Sequence, residues 1–142
     1  YDSMWGSTGI MASAIASGLE DEGVPVRIID IQKNHHSDVM TELADCGAVI
    51  VGSATHNNNV LPGIADVLTY MKGLRPLNRV GAAFGSYGWS GESPKIIQEW
   101  LASMNMDMPA APVKCLFVPK HEGLSQCVAL GKTVAEALKA KC

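Results

Sequence analysis

The sequence predicts an α/β fold, a doubly wound parallel sheet with helices on both faces, and three observations carry that expectation. Apolar runs such as "GAVIVGSA" and "RVGAAFGSY" read as strands without polar alternation, which suits strands buried on both sides. Amphipathic segments of helical period alternate with them, the order from which such sheets are built. Residues suited to ligand chemistry gather in the loops after the strands, where open α/β sheets bind.

The elements follow in order. Ile10, Met11, Ala14, Ile15 and Leu19 recur at helix spacing, and Gly23 followed by Pro25 marks the stop. "VPVRIIDI", Val24 to Ile31, is expected to be a buried strand. Ser37 is expected to cap a short helix running to Asp45. "GAVIVGSA", Gly47 to Ala54, is the second strand, and Pro62 sits at a first helical position ahead of Ile64, Val67, Leu68 and Met71. "RVGAAFGSY", Arg79 to Tyr87, is the third strand. Ser93 before Pro94 repeats the start signal for a helix carrying Ile96, Ile97, Trp100, Leu101 and Met104. "VKCLFVPK", Val113 to Lys120, is the fourth strand, and Leu124, Val128, Gly131, Val134, Ala135 and Leu138 line the last helix.

This order lacks a strand ahead of the first helix, and in a doubly wound sheet that leaves a central gap with unpaired backbone groups. Tyr1 and Asp2 read as the tail of such a strand, so the native polypeptide is expected to extend upstream by at least five mostly apolar residues. Residues 1–142 are expected to form one domain of a longer chain, since 142 residues bury a sizeable core without metal or disulfide staples.

Composition narrows the function classes. Apolar residues at 47% and charged residues at 18% fit a compact domain. A formal net charge of −3 with scattered basic residues gives no nucleic-acid footprint. No apolar run approaches the roughly 20 residues of a membrane helix, and no signal-peptide pattern precedes one, so a cytoplasmic location is expected and no membrane partner. Cys46, Cys115, Cys127 and Cys142 show no C-x-x-C spacing and read as reduced thiols.

Three loops carry the chemistry. Ser3-Met4-Trp5-Gly6-Ser7-Thr8-Gly9 leads into a helix whose N-terminus offers free N–H groups and a favourable dipole to an anion. It has neither the lysine of a nucleoside-triphosphate loop nor a G-x-G-x-x-G fingerprint, which leaves a site for one terminal phosphate held by dipoles and hydroxyls. Ser53-Ala54-Thr55-His56-Asn57-Asn58-Asn59 follows the strongest strand and suits the polar edge of a heterocycle. Phe84-Gly85-Ser86-Tyr87-Gly88-Trp89-Ser90-Gly91-Glu92 interleaves aromatics with glycines, so a flat ring can lie against a side chain while backbone approaches its edge. A ligand with one phosphate and a planar aromatic system matches all three, and flavin mononucleotide (FMN) has that shape.

At these residues the chain resembles a flavodoxin-like domain, and more narrowly the C-terminal flavodoxin domain of the flavodiiron proteins. The matching stretches are "YDSMWGST", "VGSATHNNNVLPG", "GLRPLNRVGAAFGSYGWSG" and "LFVP", and the resemblance covers essentially the whole chain. The resemblance implies that Ser3, Met4, Trp5, Gly6, Ser7 and Thr8 surround the FMN phosphate. It implies that Ala54, Thr55, His56, Asn57 and Asn58 line one side of the ring system and Ser86, Tyr87, Gly88, Trp89, Ser90 and Gly91 the other. Ala54 stands where the family often carries proline.

The resemblance also implies a division of labour. Family members carry an upstream diiron domain that reduces dioxygen or nitric oxide, and His35, His36, His56 and His121 are not at metal-ligand spacing here. The implied role is therefore an electron-transfer module of an oxidoreductase, with no catalytic residues or metal of its own. Rubredoxin or a flavin reductase would be the electron donor, and a head-to-tail homodimer would bring flavin and iron together. A free-standing flavodoxin or a quinone reductase of related fold is the alternative. A signalling receiver domain needs a phosphorylatable aspartate where "GSATH" stands, and a low-molecular-weight phosphatase needs C-x₅-R where Ser3 to Gly9 stand.

Overall fold

A computed structural model of the chain describes residues 1–76 and 78–141. Cys142, one of the four expected thiols, lies outside them; Cys46, Cys115 and Cys127 are free thiols. Among the described residues, five helices flank the sheet: α1 (Ser7–Asp21), α2 (His36–Asp45), α3 (Pro62–Leu74), α4 (Ser93–Ser103) and α5 (His121–Ala140). The strands are β1 (Ala48–His56), β2 (Asn59–Val60), β3 (Val80–Tyr87) and β4 (Val113–Leu116), in the spatial order β2-β1-β3-β4. β1, β3 and β4 run parallel, and the two-residue β2 folds back antiparallel on the end of β1.

The apolar strands are buried from both sides, as their composition predicts. On one face, Val80, Ala82 and Phe84 of β3 join Met11, Ile15 and Leu19 of α1 and Cys127, Leu130 and Val134 of α5. On the other, Val51 of β1 and Ala83 of β3 join Ile64, Leu68 and Met71 of α3 and Ile97 and Leu101 of α4. Successive residues of β3 thus feed opposite cores, which the period of two of a strand requires. Trp100 packs against the second core, where its helical spacing puts it.

Several expectations are corrected. Val24–Ile31 forms no strand. Its far end meets Tyr1, whose N-terminal amine donates to Ile29 O at 2.9 Å and whose carbonyl accepts from Ile31 N at 3.0 Å. Between the rest of the segment and β1 lies a cavity of about 530 Å³, lined by apolar side chains that include Leu19, Val26, Ile28, Val49 and Val51. A strand requires a hydrogen-bonded neighbour within about 5 Å, and Val24–Ile31 has no ladder partner in the sheet. The fourth strand stops at Leu116 rather than Lys120, because Phe117 takes a left-handed φ of 56° that turns the chain out of the sheet.

The helix starts also shift. The cap of α2 is His35, not Ser37: Ser37 N donates to His35 Nδ1 at 3.2 Å, and His35 N donates to Asp38 Oδ2 at 3.0 Å. Glu92 occupies the cap position of α4, so Ser93 begins the helix and its hydroxyl is released for another contact. On α5 the buried face is centred on Cys127, Leu130 and Val134, while Leu124 and Val128 are only half-buried. Among the described residues no helix is long and apolar enough to cross a membrane.

Candidate functional site

The carboxyl ends of β1 and β3 and the N-termini of α1 and α4 converge at one end of the sheet, and all three predicted loops lie there. In register, Ala54 of β1 stands beside Ser86 of β3, so the second and third loops leave the sheet side by side.

The first loop is braced from below. Asp2 N donates to Gly52 O at 3.1 Å, and Ala54 N donates to Asp2 O at 3.3 Å. The buried Asp2 carboxylate accepts from Ser3 N and from Gln32 Nε2, each at 2.9 Å. Gln32 Nε2 also donates to Ser3 O. Ser3 Oγ accepts from Gly6 N at 2.8 Å, and Gly6 then turns the chain into α1 with a φ of 88° that side chains rarely adopt. No side chain caps α1, so its first-turn N–H groups remain available to an anion.

The three loops are tied to one another. Thr8, fully buried, shares a 2.8 Å hydrogen bond with Ser86 Oγ and so joins the first loop to the third. Ser90 Oγ donates to Asn58 Oδ1 at 2.9 Å and joins the third to the second. Asn57 and Asn58 both take left-handed φ values, 49° and 59°, which asparagine tolerates better than most residues.

Side chains that a globular core would bury are left in the open here. Trp5 is 89% and Trp89 95% exposed, and Met4 and Phe117 are exposed beside them in the chain. His56 and Gly88 are exposed and Tyr87 is half-buried, with Lys114 Nζ 5.8 Å from the Tyr87 ring centre. Ala54 is buried within β1, so what it can offer a ligand is backbone. Ser7 is nearly buried at the start of α1, and Ser90 and Gly91 are half-buried. Among the described residues no group of three or more His, Cys, Asp or Glu could hold a metal ion.

Sequence reasoning missed Ser93, which lies beneath the second loop and meets Ser53 and Thr55 there. Ser93 is fully buried; its Oγ donates to Ser53 O at 2.9 Å and accepts from Thr55 Oγ1 at 2.9 Å. Ser53 Oγ in turn accepts from Leu61 N at 2.9 Å. A serine before a proline at a helix start reads as a cap, so nothing in the sequence signalled this contact.

Comparison with known proteins agrees with this fold. The flavodoxin family model matches residues 1–131. The rubredoxin-oxygen oxidoreductase of Megalodesulfovibrio gigas is 54% identical over 141 residues, 99% of this chain but 35% of that protein. The solved flavodiiron protein from Giardia intestinalis is 29% identical with a TM-score of 0.92, again over 99% of this chain and 35% of that one. A flavodoxin from the domain Archaea is 31% identical with a TM-score of 0.85, and there 98% of this chain covers 99% of the other. The chain spans about a third of the length of the curated relatives it matches. It belongs to the flavodoxin family, whose cofactor is a flavin, and it corresponds to the flavodoxin-like part of the flavodiiron relatives.

Proposed function

We propose that the three loops bind FMN and that the chain serves as the electron-transfer module of a flavodiiron oxidoreductase. The observation that carries this is the pairing of an uncapped, lysine-free helix N-terminus with two almost fully exposed tryptophans at the same end of the sheet. The first suits a monophosphate held by N–H dipoles and the hydroxyls of Ser3 and Ser7. The second suits a planar ring that covers apolar surface otherwise left to water.

FMN, when bound, supplies the redox chemistry. The protein's part is to hold the phosphate with the Ser3–Thr8 loop, to flank the ring with Thr55–Asn58 on one side and Ser86–Gly91 on the other, and to exclude water with Trp5 and Trp89. Electrons would arrive from rubredoxin or a flavin reductase and leave for an upstream diiron domain that reduces dioxygen or nitric oxide. A head-to-tail homodimer would bring flavin and iron together, in a cytoplasmic enzyme.

The assignment of loops to ligand parts is tested by comparing FMN with riboflavin, which lacks the phosphate. FMN is expected to bind at least tenfold more tightly. Ser7→Ala should weaken FMN more than riboflavin, whereas Trp89→Ala should weaken both by a similar factor, roughly tenfold for about 1.4 kcal/mol of lost contact. Equal affinity for the two ligands would remove the phosphate role from the first loop.

A free-standing flavodoxin is the second reading, favoured by the end-to-end match to the archaeal flavodoxin. The reading frame upstream of Tyr1 separates the two: an in-frame iron-binding domain supports the flavodiiron enzyme, and a start codon a few residues away supports the small carrier.

A further inference from the structure

We infer that Ser93, with Thr55 and Ser53, is a positioning device that fixes the second loop against the ring of the bound flavin, an inference that rests on the FMN reading. The loop turns at the end of β1, beyond His56, and returns through β2 to Leu61, and a serine pins each arm at Thr55 and at Leu61. At the outgoing end, Thr55 Oγ1 donates to Ser93 Oγ at 2.9 Å and accepts from Ser93 N at 3.1 Å, while Ser93 Oγ donates to Ser53 O at 2.9 Å. At the returning end, Ser53 Oγ accepts from Leu61 N at 2.9 Å.

Ser53 Oγ also donates to Ala54 O at 2.8 Å, so each hydroxyl has both a donor and an acceptor role filled, and Ser53 and Ser93 are fully buried. The chain leaves no slack at this point. A Cβ on Gly85 would strike Ser53 O and lie 2.7 Å from Ser93 Oγ, so β3, β1 and the start of α4 meet without room to slide. Between the two pinned residues, Thr55 and Leu61, only His56, Asn57, Asn58 and Asn59 are exposed, and these include residues proposed to flank the ring.

The consequence is specific to a cofactor whose charge distribution changes on reduction. Loop backbone dipoles held at a fixed distance from the ring favour one redox state over another, and loosening the pin changes that preference. Ser93 reaches no ligand itself; it acts through Thr55.

The test uses Ser93→Ala, Thr55→Val and the double variant of this chain, with FMN as the probe. Ser93→Ala and Thr55→Val are each expected to weaken oxidised FMN three- to tenfold. Each should also change the ratio of the affinities for oxidised and reduced FMN by three- to tenfold, a midpoint shift of about 15–30 mV for the two-electron couple. The double variant should fall short of the sum of the two single effects, because all three variants lack the Thr55–Ser93 hydroxyl bond. Thr55→Ser, which keeps the hydroxyl, should recover most of what Thr55→Val loses, and this pair decides the matter if Ser93→Ala fails to fold. A merely structural serine would lower the melting temperature of the ligand-free chain and leave the affinity ratio unchanged. Folded variants with wild-type ratio, additive effects in the double variant, or Thr55→Ser behaving as Thr55→Val would each overturn the inference. Wild-type chain that binds no FMN would instead overturn the cofactor reading beneath it.

Discussion

Cys127 shows how a single buried group writes itself into the pH dependence of this protein. Its thiol sits on α5 inside the first core, fully buried, with the Cys115 thiol as hydrogen-bond neighbour. Burial disfavours the thiolate, and the adjacent Cys115 adds to it, so the Cys127 pKa is pushed up to about 12. A thiol in the unfolded chain ionises near 9. The folded state therefore keeps the full contribution below about pH 9 and loses it as pH rises toward 12, by at most about 1.4 kcal/mol per pH unit for one proton. Urea unfolding at pH 8, 9, 10 and 11 should show a falling midpoint for the wild type and a flatter one for Cys127→Ala. Parallel curves would show that Cys127 does not titrate on unfolding. Ser93 makes the complementary point at the same scale. Its neighbours in sequence announce a helix start, and only the fold reveals that its hydroxyl points to Ser53 and Thr55 instead.

Among elements, the α1–α5 contact is set by two glycines. A Cβ on Gly131 of α5 would overlap Ile15 O, and one on Gly18 of α1 would overlap Val128 O. The two helices therefore approach backbone to backbone above β3, which is what lets Val134 and Ile15 share one core. Gly131→Ala should push the helices apart and cost about 1–3 kcal/mol, the usual cost of overpacking, despite alanine's better helix propensity. Thermal unfolding measures this, and a melting temperature at or above the wild type would contradict the contact. The strands β1 and β3 were legible in sequence because burial from both sides strips them of polar alternation. Val24–Ile31 has the same composition and is not a strand, since an apolar segment specifies that it is buried but not that a neighbour is present to complete its ladder. β2 was invisible for the opposite reason, because two residues carry no period.

For the whole molecule, the candidate site is a property of one end of the sheet, and much of it could be read from residue types. Glycine at the turn into α1, asparagines at left-handed positions and tryptophans off any helical period each point away from core packing. What the sequence did not disclose is how the loops are locked together through Thr8, Ser86, Ser90 and Ser93, because those contacts join residues 32 to 78 positions apart. The central claim is that this locked cluster is a flavin mononucleotide site. It is tested most directly by incubating the purified chain with excess FMN, removing unbound ligand and recording the visible spectrum with the melting temperature. Retention of flavin absorption near one FMN per chain is expected, with a melting temperature that rises with FMN, by about 2.7 kcal/mol of added stability at a hundredfold excess over Kd. A colourless chain whose melting temperature ignores FMN would contradict the account.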